Sequence, residues 1–297
     1  MRARSPWPLV LALFACGPER AQTIGKTPDP GSKSSVCAAY NAATANTREG
    51  PFAGNVMSCD PGAVDPGSAT RALALMNAYR SFLSLPPVTA SPALNEKAQA
   101  CALMMDANDA LSHTPPTSWR CYSDAGAEGA GSSNISTAPI VSSIDLFMLD
   151  PGNETTLGHR RWIISNGLTE VGFGSAPQGS CLWVVHPFQG DRAWTAWPAP
   201  GPFPSGALRN RFASLDNTGW SVQSDTIDLS RAKVSITSAG QPRPVSTSAL
   251  LPNFGSGTAI KFVPQGWSAT IGETYAVQIS GIGAVIEYSV EIVDCGG

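Results

Sequence analysis

The sequence is poor in charged residues, which make up only 14% of its 297 residues. Lysine and arginine number 19 against 22 aspartates and glutamates, so the net charge is −3 at pH 7. A nucleic-acid-binding face needs a concentrated basic patch, and the sequence offers none. We therefore expect no nucleic-acid partner. The apolar fraction of 42% is enough for a sizeable core and excludes a disordered chain.

Long apolar runs are also scarce, and the N-terminal one at Pro8–Ala15 is short. It cannot cross about 30 Å of hydrocarbon, so no spanning helix is predicted there. With Arg2 and Arg4 before it, the run is typical of an export signal over residues 1–22. Cleavage is expected either near residues 15–21 or at a lipobox-like LFAC sequence, which would leave a lipidated Cys16. We expect an exported protein, extracellular or in the cell envelope, that meets the membrane only through such an anchor.

The seven cysteines include no CxxC pair, the spacing typical of structural zinc sites. Removal or lipidation of Cys16 leaves six, and an even set in an oxidising compartment predicts three disulfides. Proximity in sequence favours the pairs Cys37–Cys59 and Cys101–Cys121, which leaves Cys181–Cys295.

Composition and periodicity predict an α+β chain with two domains. Residues 23–64 are interpreted as a tether (Thr23–Ser35) and a cysteine-bounded segment. Apolar residues at helical spacing predict helices over Thr70–Leu85, from Pro92 to about Ala110, and within Pro139–Leu149. Apolar runs at Glu170–Gly174 and Cys181–His186 predict strands that complete a domain over residues 65–187. A proline-rich linker at 188–205 follows. Short alternating segments then predict a β-sandwich at 206–297 that serves as an interaction module.

The chain has only three histidines, and His113 and His159 are the candidates for chemistry. Histidine is both the commonest metal ligand and a frequent acid or base, but each could equally be a hydrogen-bonded structural residue. We interpret His186, at a strand end, as structural. Ser132 and Ser133 lie in a glycine-rich stretch without a Gly-x-Ser-x-Gly elbow, so a serine hydrolase is disfavoured.

Six short segments in fixed order resemble the CAP superfamily of cysteine-rich secretory proteins, antigen 5 and plant pathogenesis-related proteins, in its bacterial secreted branch. They are LMNAYR at 75–80, LNEKAQ at 94–99, SHT at 112–114, SNI at 133–135, GHR at 158–160 and TEVGFG at 169–174. The resemblance implies a three-layer α-β-α sandwich with a central antiparallel sheet over residues 65–187. It also implies a cleft with two histidines and two acidic residues, in which some members bind zinc or another divalent ion.

Carried over residue by residue, the two histidines of that cleft are His113 and His159. The acids do not carry over cleanly. Ser133 stands where the family has a glutamate, and the second acid is either Glu128 or Asp124. A catalytic zinc commonly has three protein ligands. We therefore expect weak zinc or other divalent-cation binding, or none, and His113, His159 and Glu128 are only candidate catalytic residues.

Two functions follow from these residues. The preferred one is a non-catalytic CAP protein whose cleft binds a small ligand, a lipid or a partner protein. The alternative is a divalent-metal-dependent, peptidase-like hydrolase that uses the two histidines. Arg160 and Arg161, beside the cleft, either bind an anionic ligand or are structural, and the structural interpretation is preferred. In it, Arg160 pairs with a carboxylate and Trp162 fills the core.

Overall fold

The computed structural model describes residues 31–187, 190 and 192–296. The predicted export signal at 1–22, the candidate lipidation residue Cys16 and most of the predicted tether lie outside the described residues. Among the residues it does describe, no helix has both the length and the apolar character that a membrane span requires.

Seven α-helices occur in the described part of the chain, and the three predicted ones are among them. They are α1 (Lys33–Thr44), α2 (Pro66–Phe82), α3 (Pro92–Asn108), α4 (Asp124–Gly131), α5 (Ile140–Leu149), α6 (Gly158–Ile163) and α7 (Leu215–Thr218). Helix α2 begins earlier than predicted because the Asp65 carboxylate accepts a hydrogen bond from the Ser68 N–H at 2.7 Å, which caps the first turn. Helix α1 begins inside the predicted tether, where Ser32 caps it.

The first sheet has four strands in the order β1-β3-β4-β2, with β1 parallel to β3 and the other pairs antiparallel. The strands are β1 (Thr89–Ala90), β2 (Ser133–Ser136), β3 (Glu170–Ala176) and β4 (Gly179–Trp183). Helix α3 lies against one face, so closely that a Cβ at Gly174 would stand 2.0 Å from the Ala98 carbonyl oxygen. Helix α5 covers the other face, where the Ser143 and Ser180 hydroxyls are 2.9 Å apart. This is the predicted α-β-α arrangement.

Two further sheets form the predicted β-sandwich. The first, in the order β10-β11-β7-β5, contains β5 (Thr195–Trp197), β7 (Trp220–Ser224), β10 (Val245–Ala249) and β11 (Thr258–Pro264). The second, in the order β6-β13-β12-β8-β9, contains β6 (Gly201–Pro204), β8 (Lys233–Ser238), β9 (Gln241–Pro242), β12 (Thr274–Ser280) and β13 (Ile286–Val293). Trp220 of β7 and Tyr275 of β12 join the two sheets with ring centroids 5.6 Å apart.

The prediction of a linker at 188–205 is wrong for Thr195–Trp197 and Gly201–Pro204, which form β5 and β6 of the two sandwich sheets. Trp197 and Phe203 are fully buried in them. The prolines of β6 are tolerated because this strand lies at the edge of its sheet, paired on one side only with β13. Composition alone could not distinguish such a strand from a linker.

The two domains share one apolar core. Trp197 of the sandwich stacks on Phe82 of α2 with ring centroids 6.3 Å apart and contacts Tyr79 edge-on at 5.4 Å. Phe203 contacts Phe82 edge-on at 6.3 Å. The sandwich is therefore packed against the helical layer rather than appended to it.

Three disulfides form, as predicted, but all three predicted pairings are wrong. The structure contains none of the predicted pairs Cys37–Cys59, Cys101–Cys121 and Cys181–Cys295. The observed bonds are Cys37–Cys295, Cys59–Cys121 and Cys101–Cys181. The packing of whole elements brings these sulfurs together, since α3 lies on β4 and α1 lies beside the C-terminus, where the Asn41 amide donates to the Cys295 carbonyl at 2.8 Å. Proximity in sequence carries no information about such contacts.

Candidate functional site

A cleft of about 810 Å³ opens where the loop after α3, strand β2, helix α6 and a loop of the sandwich meet. Both His113 and His159 line it, so the fold brings the two predicted histidines to one site. The other lining residues are Leu111, Ser112, Gly131, Ser133, Asn134, Ile135, Pro151, Gly152, Asn153, Thr156, Gly158, Trp162, Val185, Asn253 and Phe254.

His159 is fixed by a buried carboxylate. Its Nδ1 lies 2.8 Å from Oδ1 of Asp150, a residue with no exposed surface. Asp150 ends α5 in the left-handed region, at φ 55°, and its Oδ1 and Oδ2 also accept hydrogen bonds from the Asn153 amide and the Arg160 N–H. Because an ionised carboxylate only accepts, His159 carries its proton on Nδ1 and, when neutral, presents a bare Nε2.

His113 is held in the same way by a backbone carbonyl. Its Nδ1 lies 2.9 Å from the oxygen of Ala130, at the end of α4, and its ring is exposed. A carbonyl also only accepts, so His113 likewise presents a bare Nε2 when neutral. Two imidazole acceptors thus belong to one cleft.

The predicted acids do not lie in the cleft. Glu128 pairs with Lys97 at 2.6 Å on an outer surface, and Asp124 stands in the first turn of α4. Sequence reasoning missed Asp150, nine positions before His159 and at the start of an Asp-Pro-Gly turn. That turn after a predicted helix was the available signal. Only the fold, however, returns the chain so that Asp150 meets the imidazole.

Ser133 does not act with either histidine. Its hydroxyl is buried and has no hydrogen-bond partner among the residues described here. A serine nucleophile is activated by a hydrogen-bonded base, so the geometry gives no support to a serine hydrolase.

The donor set does not complete a catalytic zinc centre. No group of three or more His, Cys, Asp or Glu side chains in the described ranges could hold a metal ion. The cleft offers two imidazole nitrogens, and Asp150 serves as the outer partner of one of them. A catalytic zinc commonly has three protein ligands.

Arg160 and Arg161 are structural, as preferred, and the anion-binding interpretation is wrong. Both are fully buried, and burial lowers the pKa of each to about 10. Contrary to expectation, the Arg160 guanidinium pairs with no carboxylate of the described residues, and backbone carbonyls and hydroxyls surround it instead. The Arg160 guanidinium donates to Met148, Leu149, Thr218, Gly219 and Ser221. The Nη1 and Nη2 atoms of Arg161 donate to Thr156, Leu251 and Ser256, and its Nε has no partner among the described residues.

His186 lies outside the cleft lining. Its Nε2 lies 3.0 Å from the Ser165 hydroxyl and its ring contacts Trp162 edge-on. Burial lowers the pKa of His186. These contacts agree with the structural role expected for this residue.

Residues 73–186 match the family model named CAP, the cysteine-rich secretory protein family. This part of the chain is therefore a CAP domain. No curated protein and no solved structure matches the chain. The three disulfides among the described residues fit an extracellular location. Its placement in the bacterial branch stays a prediction.

Proposed function

We propose that this CAP protein is exported and binds a small extracellular ligand in the cleft between His113 and His159, without converting it. The ligand has an apolar body and a head group that donates hydrogen bonds. The observation that carries the proposal is the character of the lining. Apolar side chains surround two imidazoles, and none of the described residues that line the cleft is a carboxylate.

The apolar part of the lining supports a ligand with an apolar body. Leu111 and Val185 are 42% and 38% exposed, and both line the cleft together with Ile135 and Trp162. Small-molecule sites are mostly apolar clefts of about 300–1,000 Å³ with a few placed polar groups. The cleft volume of about 810 Å³ falls in that range.

The histidines support a ligand head group that donates hydrogen bonds. With Nδ1 protonated on both rings, each neutral imidazole offers an Nε2 lone pair, which favours a hydroxyl or another donor over a carboxylate. The buried Ser133 hydroxyl, which no described residue hydrogen-bonds, is a further polar group at the site. No nucleophile among the described residues is hydrogen-bonded to either ring, and this favours binding over catalysis.

Calorimetry with two eight-carbon probes, octan-1-ol and octanoate, tests the proposal at about pH 8, where octanoate carries its charge. We expect octan-1-ol to bind more tightly than octanoate. His159→Ala should weaken octan-1-ol binding about fivefold, the equivalent of one hydrogen bond of about 1 kcal/mol. His186→Gln, which alters a histidine outside the lining, should leave it unchanged. Absence of binding by both probes, or binding unaffected by His159→Ala, overturns the proposal.

A divalent cation is the second candidate occupant, and a peptidase-like hydrolase is the activity that would follow from it. One specific feature favours it: both Nδ1 atoms are held by oxygen acceptors, the usual arrangement of a metal-ligating histidine. With two imidazoles we expect weak zinc binding. A zinc titration by calorimetry, comparing wild type with His113→Ala and His159→Ala, tests it. Absence of zinc-dependent heat in the wild type removes this candidate and the hydrolase with it.

Export and anchoring are part of the proposal as well. The three disulfides support an oxidising compartment, and the lipobox-like sequence at Cys16 is the proposed anchor. Mass spectrometry of the mature N-terminus decides between the two cleavage sites. A diacylated Cys16 supports the anchor, and an unmodified N-terminus beyond residue 16 excludes it.

A further inference from the structure

One wall of the cleft comes from outside the CAP match. Residues 250–257, here termed the cleft loop, connect β10 to β11 of the sandwich, and Asn253 and Phe254 in it line the cleft beside the histidines. The match to the CAP family ends at residue 186. The sandwich therefore contributes to the site rather than standing apart from it.

Arg161 fixes the cleft loop to the helix that carries His159. Its Nη1 donates to the Leu251 carbonyl at 2.7 Å, and its Nη2 donates to the Ser256 carbonyl at 3.1 Å and hydroxyl at 3.0 Å. The Leu251 N–H donates to the Thr155 carbonyl at 3.0 Å. Hydrogen bonds from a charged, buried donor are among the stronger ones in proteins, so the loop is held in a fixed position.

Phe254 packs directly on the start of α6. A Cβ at Gly158 would stand 2.9 Å from Cδ1 of the Phe254 ring, so only glycine lets the ring lie this close to the residue before His159. The neighbouring Asn253 has φ 67° and its N–H donates to the Ser256 carbonyl at 3.1 Å, which closes a tight turn. The turn between Asn253 and Ser256 therefore holds the partly exposed Phe254 ring at the cleft.

We propose that Phe254 is a specificity-determining residue of the cleft and selects ligands with an aromatic body that carries a hydroxyl group. This inference rests on the proposed ligand-binding function. An aromatic ring prefers another ring in edge-on or offset contact, with a gain beyond that of apolar area alone. Trp162 lines the same cleft and adds a second aromatic surface. Phenols and naphthols combine such a body with the hydrogen-bond donor that the imidazoles favour.

Calorimetry of the full chain with 2-naphthol and octan-1-ol tests this selectivity. Phe254→Leu keeps an apolar side chain but removes the ring. We expect it to weaken 2-naphthol binding about fivefold and to change octan-1-ol binding by less than about twofold. Phe254→Tyr keeps the ring and should retain wild-type selectivity. Phe212→Leu is the matched control, because Phe212 is 65% exposed and does not line the cleft, and it should have no effect.

The outcomes separate this inference from the function on which it rests. If both probes bind the wild type and Phe254→Leu weakens them equally or not at all, the selectivity assigned to Phe254 is wrong and the cleft still binds ligands. If neither probe binds the wild type, both proposals are overturned. Unchanged far-UV circular dichroism and thermal midpoint in Phe254→Tyr and Phe254→Leu show that the variants are folded.

Discussion

Replacing Arg160 with methionine tests how the CAP domain and the β-sandwich are held together. The Arg160 guanidinium is fully buried between them. Its five hydrogen bonds reach the carbonyl oxygens of Met148, Leu149 and Gly219 and the hydroxyls of Thr218 and Ser221, at 2.6–3.2 Å. Three of these acceptors, Thr218, Gly219 and Ser221, belong to the sandwich side. The variant removes every one of these bonds and keeps an apolar side chain of similar length.

The magnitude follows from the acceptors that are left behind. Three buried carbonyls lose a donor, and a buried polar group without a partner costs about 1–3 kcal/mol. The two hydroxyls can rotate to other partners and cost less. Part of the loss is offset because methionine has no charge that must be desolvated on folding. In the wild type this desolvation lowers the pKa of Arg160 to about 10. We expect Arg160→Met to reduce the free energy of unfolding by about 3–5 kcal/mol.

Urea unfolding followed by tryptophan fluorescence, with the disulfides intact, measures this change. Arg243→Met is the matched control, because Arg243 is 30% exposed and pairs with Glu273 at the surface. Such exposed pairs contribute about 0–1 kcal/mol. Arg160→Lys, which keeps the charge but not the planar donors, should fall between the two. If Arg160→Met costs no more than Arg243→Met, the bonds of Arg160 do not stabilise the junction and the reasoning is refuted.

Three further predictions concern the whole chain. Replacing Cys37 and Cys295 together with serine should cost about 5 kcal/mol in urea unfolding, because that bond closes a loop with a sequence separation of 258. Non-reducing peptide mapping of the wild type should recover the Cys37–Cys295 peptide. Trp197→Ala should cost about 3–5 kcal/mol and leave one calorimetric transition, since the core is shared; two separate transitions would contradict it. Burial raises the pKa of Tyr40 to about 12 and that of Tyr79 well above its usual value. Both stay protonated in the folded chain while unfolded tyrosine ionises near pH 10, so the unfolding free energy should fall as pH rises from about 10 to 12, and the tyrosinate absorbance of Tyr40 and Tyr79 should appear only on unfolding.

Local patterns in the sequence predicted the elements that depend on neighbouring residues. Helix α3 is an example, because a serine followed by proline and then apolar residues at helical spacing specifies a start and a buried face. The alternation in β12 and β13 likewise reflects which side of a strand is buried. The strands β5 and β6 were missed because their proline-rich composition matches a linker, and only burial of Trp197 distinguishes them.

By itself the sequence determined the presence of a CAP domain, the α+β class, the number of disulfides among the described residues and the two histidines of the cleft. The domain and its histidines depend on short motifs, and the fold class depends on the spacing of apolar residues. The number of disulfides depends on how many cysteines remain once Cys16 is set aside. Only the tertiary structure decided which cysteines pair, that Asp150 holds His159 while Glu128 and Asp124 lie outside the cleft lining, and that Phe254 joins the site. Each of these is a contact between elements far apart along the chain. Such contacts depend on how sheets and helices pack, and no local pattern encodes them.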